Sequence, residues 1–288
     1  MENAPHIICF GAAHWDVIAR ARPGARGAAP RGPDAPGVVT VRPGGVALNV
    51  ACALAAAGFA VSLVSAVGDD DDGDALLARI EAAGVNAGGV IRYAGAGTGR
   101  YVAIERADGE LVAAVADAAA LEAMTPAHLP LDRLAPAALW LTDANPSAAV
   151  IRALAMAPGR PPLAADATSE AKAVKLRPVL AELAAIYCNR AEAEAICATG
   201  LNAARAAAEA LCARGAARAV VTNGVQPAAD AGRRGVVTAR PDPSPVRSVT
   251  GAGDALVAAH AGAALRGATP EAALAAGLAA AGAHARAA

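Results

Sequence analysis

The segment Thr250-Gly251-Ala252-Gly253-Asp254-Ala255-Leu256 sets two glycines around one small residue, then an aspartate, then an apolar run. It reads as a tight turn opening a helix. The first backbone N–H groups of a helix have no intrahelical acceptor and lie at the positive end of its dipole. Such a turn can hold an anion, typically a phosphate. Gly251, Ala252 and Gly253 are then the donors, and Asp254 is a carboxylate base beside a phosphoryl group. The implied chemistry is phosphoryl transfer to an acceptor that must lose a proton.

A second glycine pair, Gly44-Gly45, precedes Val46-Ala47-Leu48-Asn49. Glycine lets a substrate hydroxyl approach the backbone, and Asn49 offers both a donor and an acceptor. The same residues also describe an ordinary loop-to-helix turn. Asp16 follows the first strand and its Gly11 turn, where a carboxylate can accept two hydrogen bonds from a sugar diol or simply close a turn. Asn189 and Glu192 stand three apart at a helix start. That spacing suits Mg²⁺ held through water, since Mg²⁺ keeps several waters and few protein ligands. It equally suits a helix cap with its capping-box glutamate. Lys172, in Asp166-Ala167-Thr168-Ser169-Glu170-Ala171-Lys172, can steady a phosphate or sit in solvent.

Other patterns fail on spacing. The acidic run Asp69 to Asp74 would place Gly68 first and Arg79 last in a calcium loop, so it reads as acidic residues at a helix N-terminus. Gly95-Ala96-Gly97-Thr98-Gly99 precedes a strand, which excludes a dinucleotide fingerprint and suggests a hinge. The five histidines show no metal-ligand spacing.

Positioning these residues requires alternating strands and helices. Strands are expected at 6–10, 61–67, 138–142, 163–165, 186–188 and 219–222, and helices at 47–58, 74–83, 147–157, 175–183, 191–197 and 203–215. This alternation predicts an α/β fold, a mostly parallel sheet covered by helices on both faces. Two stretches break the rhythm. The first, about 14–43, is a Pro-, Gly- and Arg-rich loop or flap with one strand-like piece at Val38–Val41. The second, about 92–117, holds a hairpin turning at Ala107-Asp108-Gly109. They suit a small β-lid over the strand ends, where open α/β sheets bind ligands. The whole chain, 1–288, reads as one domain.

Composition narrows the class. The chain is 56% hydrophobic but 2% aromatic, with alanine supplying most of the apolar count. Its formal net charge is -1, which argues against a nucleic-acid partner. Five cysteines at irregular spacing, without C-x-x-C, indicate reduced thiols rather than a disulfide framework. No signal peptide is evident and the Ala272–Ala283 run is too short for a bilayer, so a cytoplasmic protein with no membrane partner is expected.

Taken together, Gly44-Gly45 with Asn49, Asn189-x-x-Glu192, and Val249-Thr250-Gly251-Ala252-Gly253-Asp254 resemble, in order and spacing, the ribokinase-like (phosphofructokinase-B) family of sugar and nucleoside kinases. The resemblance implies a three-layer αβα sandwich, ATP and Mg²⁺, and leaves a monovalent cation open. It implies Asp254 as base, Asp16, Gly44, Gly45, Asn49, Tyr101 and Asp117 on the substrate, and Asn189, Thr222, Gly224, Thr250 and Lys172 on the nucleotide. Glu192 falls on the Mg²⁺-organising position, and lid strands imply a homodimer. Within the family, Thr98-Gly99-Arg100-Tyr101, Asp108-Gly109-Glu110, Thr142-Asp143-Ala144-Asn145 and Asp166-x-x-Ser169-x-x-Lys172 are most similar to the kinases of pseudouridine. Two alternatives remain: a kinase of another substrate (ribose, a ketodeoxy sugar acid, adenosine), and a non-catalytic binding regulator. Ser248-Val249 replace the family's usual Asp-Thr, and His14 stands where many members carry asparagine.

Overall fold

A computed structural model describes residues 4–22, 36–131, 136–245 and 250–287. Ser248 and Val249 lie outside the described residues.

Nine strands form the main sheet. They are β1 (His6–Phe10), β4 (Ala60–Gly68), β5 (Val85–Tyr93), β8 (Leu139–Asp143), β9 (Leu163–Asp166), β10 (Ala185–Asn189), β11 (Arg218–Asn223), β12 (Gln226–Gly232) and β13 (Gly235–Ala239). Their order is β13-β12-β11-β10-β9-β8-β1-β4-β5. All neighbours run parallel except β11–β12 and β12–β13. The short runs Ile7-Ile8-Cys9-Phe10 and Leu139-Trp140-Leu141 are wholly buried, as strands covered on both faces must be.

One face carries α1 (Val46–Ala56), α2 (Asp71–Ala82), α8 (Ala252–Leu265) and α9 (Pro270–Ala287). Ala47, Leu48, Leu54, Leu76, Leu256 and Leu274 pack there. The other face carries α4 (Ala148–Ala155), α6 (Arg190–Cys197) and α7 (Ala204–Ala213), packed through Val150, Ile151, Ile196 and Leu211. The short helices α3 (Ala119–Glu122) and α5 (Glu170–Ala173) close two connections. This is the ribokinase-like three-layer α/β fold. Its small side chains let α8 and α9 approach closely: a Cβ on Gly277 would sit 3.1 Å from Leu256.

A second sheet has the order β3-β2-β6-β7, from β2 (His14–Ala21), β3 (Gly37–Gly44), β6 (Arg100–Glu105) and β7 (Leu111–Asp117). The β-lid expected from about 14–43 and 92–117 is thus a four-stranded sheet, and the strand-like piece expected at Val38–Val41 inside the Arg20–Pro43 flap is longer, Gly37–Gly44, while residues 23–35 of that flap lie outside the described residues. Period-2 alternation is weak in His14–Ala21, and the charged and proline residues around Gly37–Gly44 hid its length. Three main-sheet strands were also not anticipated. Asn86, Gly88 and Gly89 dilute β5, and β12 has no β-branched residue. The helix expected at 175–183 is a 3₁₀ run, Val174–Glu182, because Pro178 inside it removes an N–H donor. Asp70 caps α2, accepting from Gly73 N at 2.8 Å, so that helix starts three residues earlier than expected.

Candidate active site

The parallel strands deliver their C-terminal ends to one edge of the sheet. Register pairs Asp143 with Asp166 and Asn189 with Thr222, so four residues from four strands line that edge. Gly224 follows in the β11–β12 turn with φ +56°.

Helix α8 opens over the same edge. Its cap, Gly251, has φ +82°, a left-handed conformation that glycine adopts without steric cost. The N–H groups of Ala252, Gly253 and Asp254 are the free donors of its first turn. Ala255 N already bonds Gly251 O at 3.1 Å. The last helix braces this turn. His284 Nε2 lies 3.0 Å from Thr250 O, and a Cβ on Gly251 would meet His284 Nε2 at 2.7 Å.

Asp254, half-buried in the first turn of α8, accepts a 2.7 Å hydrogen bond from Asn49 Nδ2 on α1. Burial pushes its pKa up to about 7, the Asn49 bond pulls it down, and Asp143 and Asp16 raise it further. A carboxylate with that value is half-ionised near neutrality and suits proton abstraction.

The second sheet supplies the other wall. Asp16 on β2 is buried, lies 3.2 Å from His14 Nε2 and 3.7 Å from Arg42 Nε, and faces Tyr101 across the β2–β6 register. Burial first, then Asp16 and Glu105, raise the Tyr101 phenol. Gly44 must be glycine, since a Cβ there would fall 2.2 Å from Asp16 Oδ1. Gly45 caps α1 at φ +104°, and its Cβ would meet Ala12 O at 2.3 Å. Asp16, Gly44, Gly45 and Tyr101 thus form one wall, and α1, opening at Gly45, carries Asn49 to Asp254.

Asn189 and Glu192 form a reciprocal capping box. Glu192 N donates to Asn189 Oδ1 at 2.9 Å and Asn189 N donates to Glu192 Oε2 at 2.8 Å. Burial raises the Glu192 carboxyl. Asp166 is pushed well up by burial, then by Asp254, Glu192 and Asp143. No group of three or more histidine, cysteine or acidic residues among the described residues is arranged as a metal cluster. Neighbouring carboxylates that repel one another, Glu192 and Asp143 buried, Asp166 and Asp254 half-buried, nevertheless fit a hydrated hard cation, which needs few direct protein ligands.

Two further expected residues have contacts of their own. Asp117 is exposed at the end of β7, where its carboxylate accepts from Ala119 N at 3.1 Å. Lys172 Nζ donates to Asn145 Oδ1 at 2.6 Å, and its neighbour Lys175 bonds the carbonyls of Asn145 and Pro146.

Asp143 was missed as a site residue. Fully buried, it accepts from Ala12 N at 2.8 Å, Ala47 N at 3.1 Å and Asn145 N at 2.7 Å. It ties the Gly11 turn, the start of α1 and the β8 end together. A Cβ on Gly11 would overlap it at 2.3 Å. An aspartate ending a buried parallel strand was the available signal.

Residues 4–287 match the pfkB family of carbohydrate kinases. The uncharacterized sugar kinase YeiI of Escherichia coli K12 is 36% identical over 156 residues, 54% of this chain and 43% of that protein. The pseudouridine kinase of the same organism is 28% identical over 204 residues, 70% of this chain and 64% of that protein. Both matches span less than two thirds of the curated relative. A carbohydrate kinase from Agrobacterium tumefaciens superposes with a TM-score of 0.83 at 30% identity, covering 96% of this chain and 89% of that one. Arabidopsis thaliana ribokinase complexed with ribose and ATP gives 0.81 at 19%, covering 97% and 92%. The resemblance drawn from the motifs holds over nearly the full length: the chain belongs to the PfkB family of carbohydrate kinases.

Proposed function

We propose that this kinase transfers the γ-phosphoryl of ATP to a primary hydroxyl of a ribose-type substrate, and that the substrate is pseudouridine. The observation that carries the reaction is the Asn49–Asp254 pair at the mouth of the Gly251 turn. Asp254 takes the proton from the substrate hydroxyl, the hydroxyl oxygen bonds to the γ-phosphorus, and the bond from that phosphorus to the departing ADP breaks. The N–H groups of the Gly251-Ala252-Gly253 turn, with Thr250, face the transferring charge. Asp16, Gly44, Gly45, Asn49 and Tyr101 hold the sugar diol, with Asp117 at the rim. Asn189, Thr222, Gly224 and Lys172 border the nucleotide. The residues that would hold Mg²⁺ through water are Glu192 and Asp166, and the ion, when bound, neutralises phosphate charge.

The pseudouridine reading is supported by the 28% identity to a pseudouridine kinase and by the Asp166-x-x-Ser169-x-x-Lys172 pattern. The 36% identity to a sugar kinase supports a free sugar as the second reading. Turnover of ATP to ADP with Mg²⁺ against pseudouridine, uridine, adenosine, ribose and a ketodeoxy sugar acid tests both. Preference for pseudouridine carries the first reading, preference for ribose or the sugar acid overturns it, and no turnover with any acceptor points to a binding regulator.

The second sheet is read as a lid that closes over the acceptor and excludes water. Its outer face exposes Val39, Val41, Val102, Ile104 and Val115 in register across β3, β6 and β7. A contiguous apolar face of this kind marks an interaction surface, and a second copy of the chain is the partner we assign to it. Light scattering on the protein and on Val39→Lys tests that: a monomer in the wild type overturns the assignment.

A further inference from the structure

The site above uses the C-terminal strand ends, and the opposite end of the sheet holds a separate cavity of about 600 Å³. The starts of β9, β10 and β11, the β12–β13 turn and the end of α8 border it, and it opens to solvent at the exposed Arg233 and Arg234. Its floor is Ala164, Ala185, Ala261 and Ala264, side chains too short to fill the space. Arg218, Arg233 and Arg234 line it, and no acidic residue among the described residues does. In a chain of net charge -1, the exposed Arg233 and Arg234 of the β12–β13 turn set two positive charges beside Arg218, which pairs with Asp230. Arg233 makes no ion pair or hydrogen bond among the described residues, and Arg234 has the field of exposed Glu271 beside it.

Two lining side chains are also the ends of a buried polar chain. The Tyr187 hydroxyl lies 3.0 Å from His260 Nδ1, and His260 Nε2 lies 3.1 Å from Asp230 Oδ2. Asp230 Oδ1 has no hydrogen bond and is held by charge alone, 3.2 Å from Arg218 Nε. Burial raises the Tyr187 phenol, and a Tyr187 hydroxyl that donates to Nδ1 leaves Nε2 to donate to Asp230. His260 and Asp230 are 0% and 2% exposed. His260 belongs to α8, the helix whose first turn carries Gly253 and Asp254. The cavity wall therefore grips the catalytic helix from behind.

We propose that this cavity is an effector site for a small organic phosphate monoester, sensed at Asp254 through the Arg218–Asp230–His260 contact with α8. Guanidinium groups match phosphate oxygens in paired hydrogen bonds, and the alanine floor accepts a compact apolar body. A phosphate that draws Arg218 toward itself weakens its hold on Asp230 and changes how His260 is held. Coupling between the sites requires that differential contact.

Phenyl phosphate is the probe. Calorimetric titration is run with the anion turn blocked by Mg²⁺ and a non-hydrolysable ATP analogue. The expected result is saturable binding that weakens about tenfold or more in Arg233→Ala/Arg234→Ala. At saturating ATP and acceptor, phenyl phosphate changes kcat in the wild type and not in the double variant, whose basal kcat is unchanged. Tyr187→Phe still binds the probe but shows a smaller kcat response. Absent binding, equal binding by the double variant, or equal binding of benzyl alcohol overturns the site. Binding with no kinetic effect overturns the effector role. The calorimetry does not depend on which acceptor the enzyme uses, so it fails or succeeds separately from the substrate reading.

Discussion

Asn49 and Asp254, 205 positions apart in the chain, meet through a 2.7 Å hydrogen bond between the first turns of two helices. Gly45 opens one helix and Gly251 the other. The bond holds one carboxylate oxygen of Asp254 and leaves the other for an acceptor hydroxyl. Because Asn49 lowers a pKa that burial has raised, Asn49→Leu raises it further. The acid limb of the kcat/KM profile is then expected to move to higher pH, together with a higher acceptor KM. An unmoved limb would mean that Asn49 does not face the working base.

Asp254→Asn removes the proposed base and is expected to lower kcat by about 10²–10⁴-fold while ATP affinity measured by calorimetry is kept. Its pH behaviour has a definite sign. In the wild type the folded pKa, about 7, lies above the ordinary 3.8. The native state therefore binds this proton more tightly than the unfolded chain does. The stability associated with that proton is present below pH 3.8 and lost as pH rises through 7. Asp254→Asn is thus expected to raise Tm relative to wild type at pH 8, with a gain that shrinks as pH falls toward 4. Parallel Tm curves for the two proteins would contradict the burial of this charge.

Asp143 fixes three backbone segments from one buried carboxylate. Replacing it with alanine leaves three buried N–H groups unpaired, and charged-acceptor bonds of this type cost about 1.5–3 kcal/mol each to lose. The expected outcome is a Tm drop of many degrees, with acceptor KM raised more than ATP KM because the Gly11 turn and α1 lie on the acceptor side. Asp143→Asn keeps the volume and one acceptor oxygen, and should retain part of the stability. Equal changes in the two KM values would argue against a positioning role.

The separate halves of this site were legible, and their meeting was not. Gly44-Gly45…Asn49 and Gly251-Ala252-Gly253-Asp254 announce helix starts through glycine spacing that physics ties to close backbone approach. Which strand ends lie side by side depends on the order β9-β8-β1-β4, which no local pattern encodes. Asp143 looks like any strand-terminal aspartate until segments 131 and 96 positions away bring it their N–H groups. The parallel core strands were visible as short Ile-, Val- and Leu-rich runs. By contrast β12, Gln226–Gly232, is a strand made by its neighbours: alanine, aspartate and glycine have no strand preference of their own.

The Gly251 turn gives a fourth prediction. Gly251→Ala adds a Cβ at φ +82°, 2.7 Å from His284 Nε2. Strain at such a position costs about 1–3 kcal/mol. The turn must shift, and the N–H groups proposed to face phosphate shift with it. A loss in ATP affinity with the acceptor's affinity retained is expected. His284→Ala should relieve the contact but free the turn, so the double variant recovers stability without recovering ATP affinity. Full recovery of affinity in the double variant would assign the defect to the clash alone.

Glu192 carries two roles that one substitution separates. Its Oε2 caps the N-terminus of α6 through Asn189 N, and its charge sits in the field of Asp166. Glutamine is a capping-box residue in its own right, so Glu192→Gln keeps the cap and deletes the charge. If the carboxylate serves only the helix, Glu192→Gln leaves Tm and activity near wild type and Glu192→Ala lowers both. If it organises hydrated Mg²⁺, Glu192→Gln holds Tm within about 0.5 kcal/mol equivalent of stability yet raises the Mg²⁺ concentration for half-maximal turnover about tenfold. The expectation here is the second pattern. Asp166 argues for it, because a half-buried carboxylate beside Asp254 and Glu192 is repelled from both. A cation lowers that repulsion, and a helix cap alone leaves it in place.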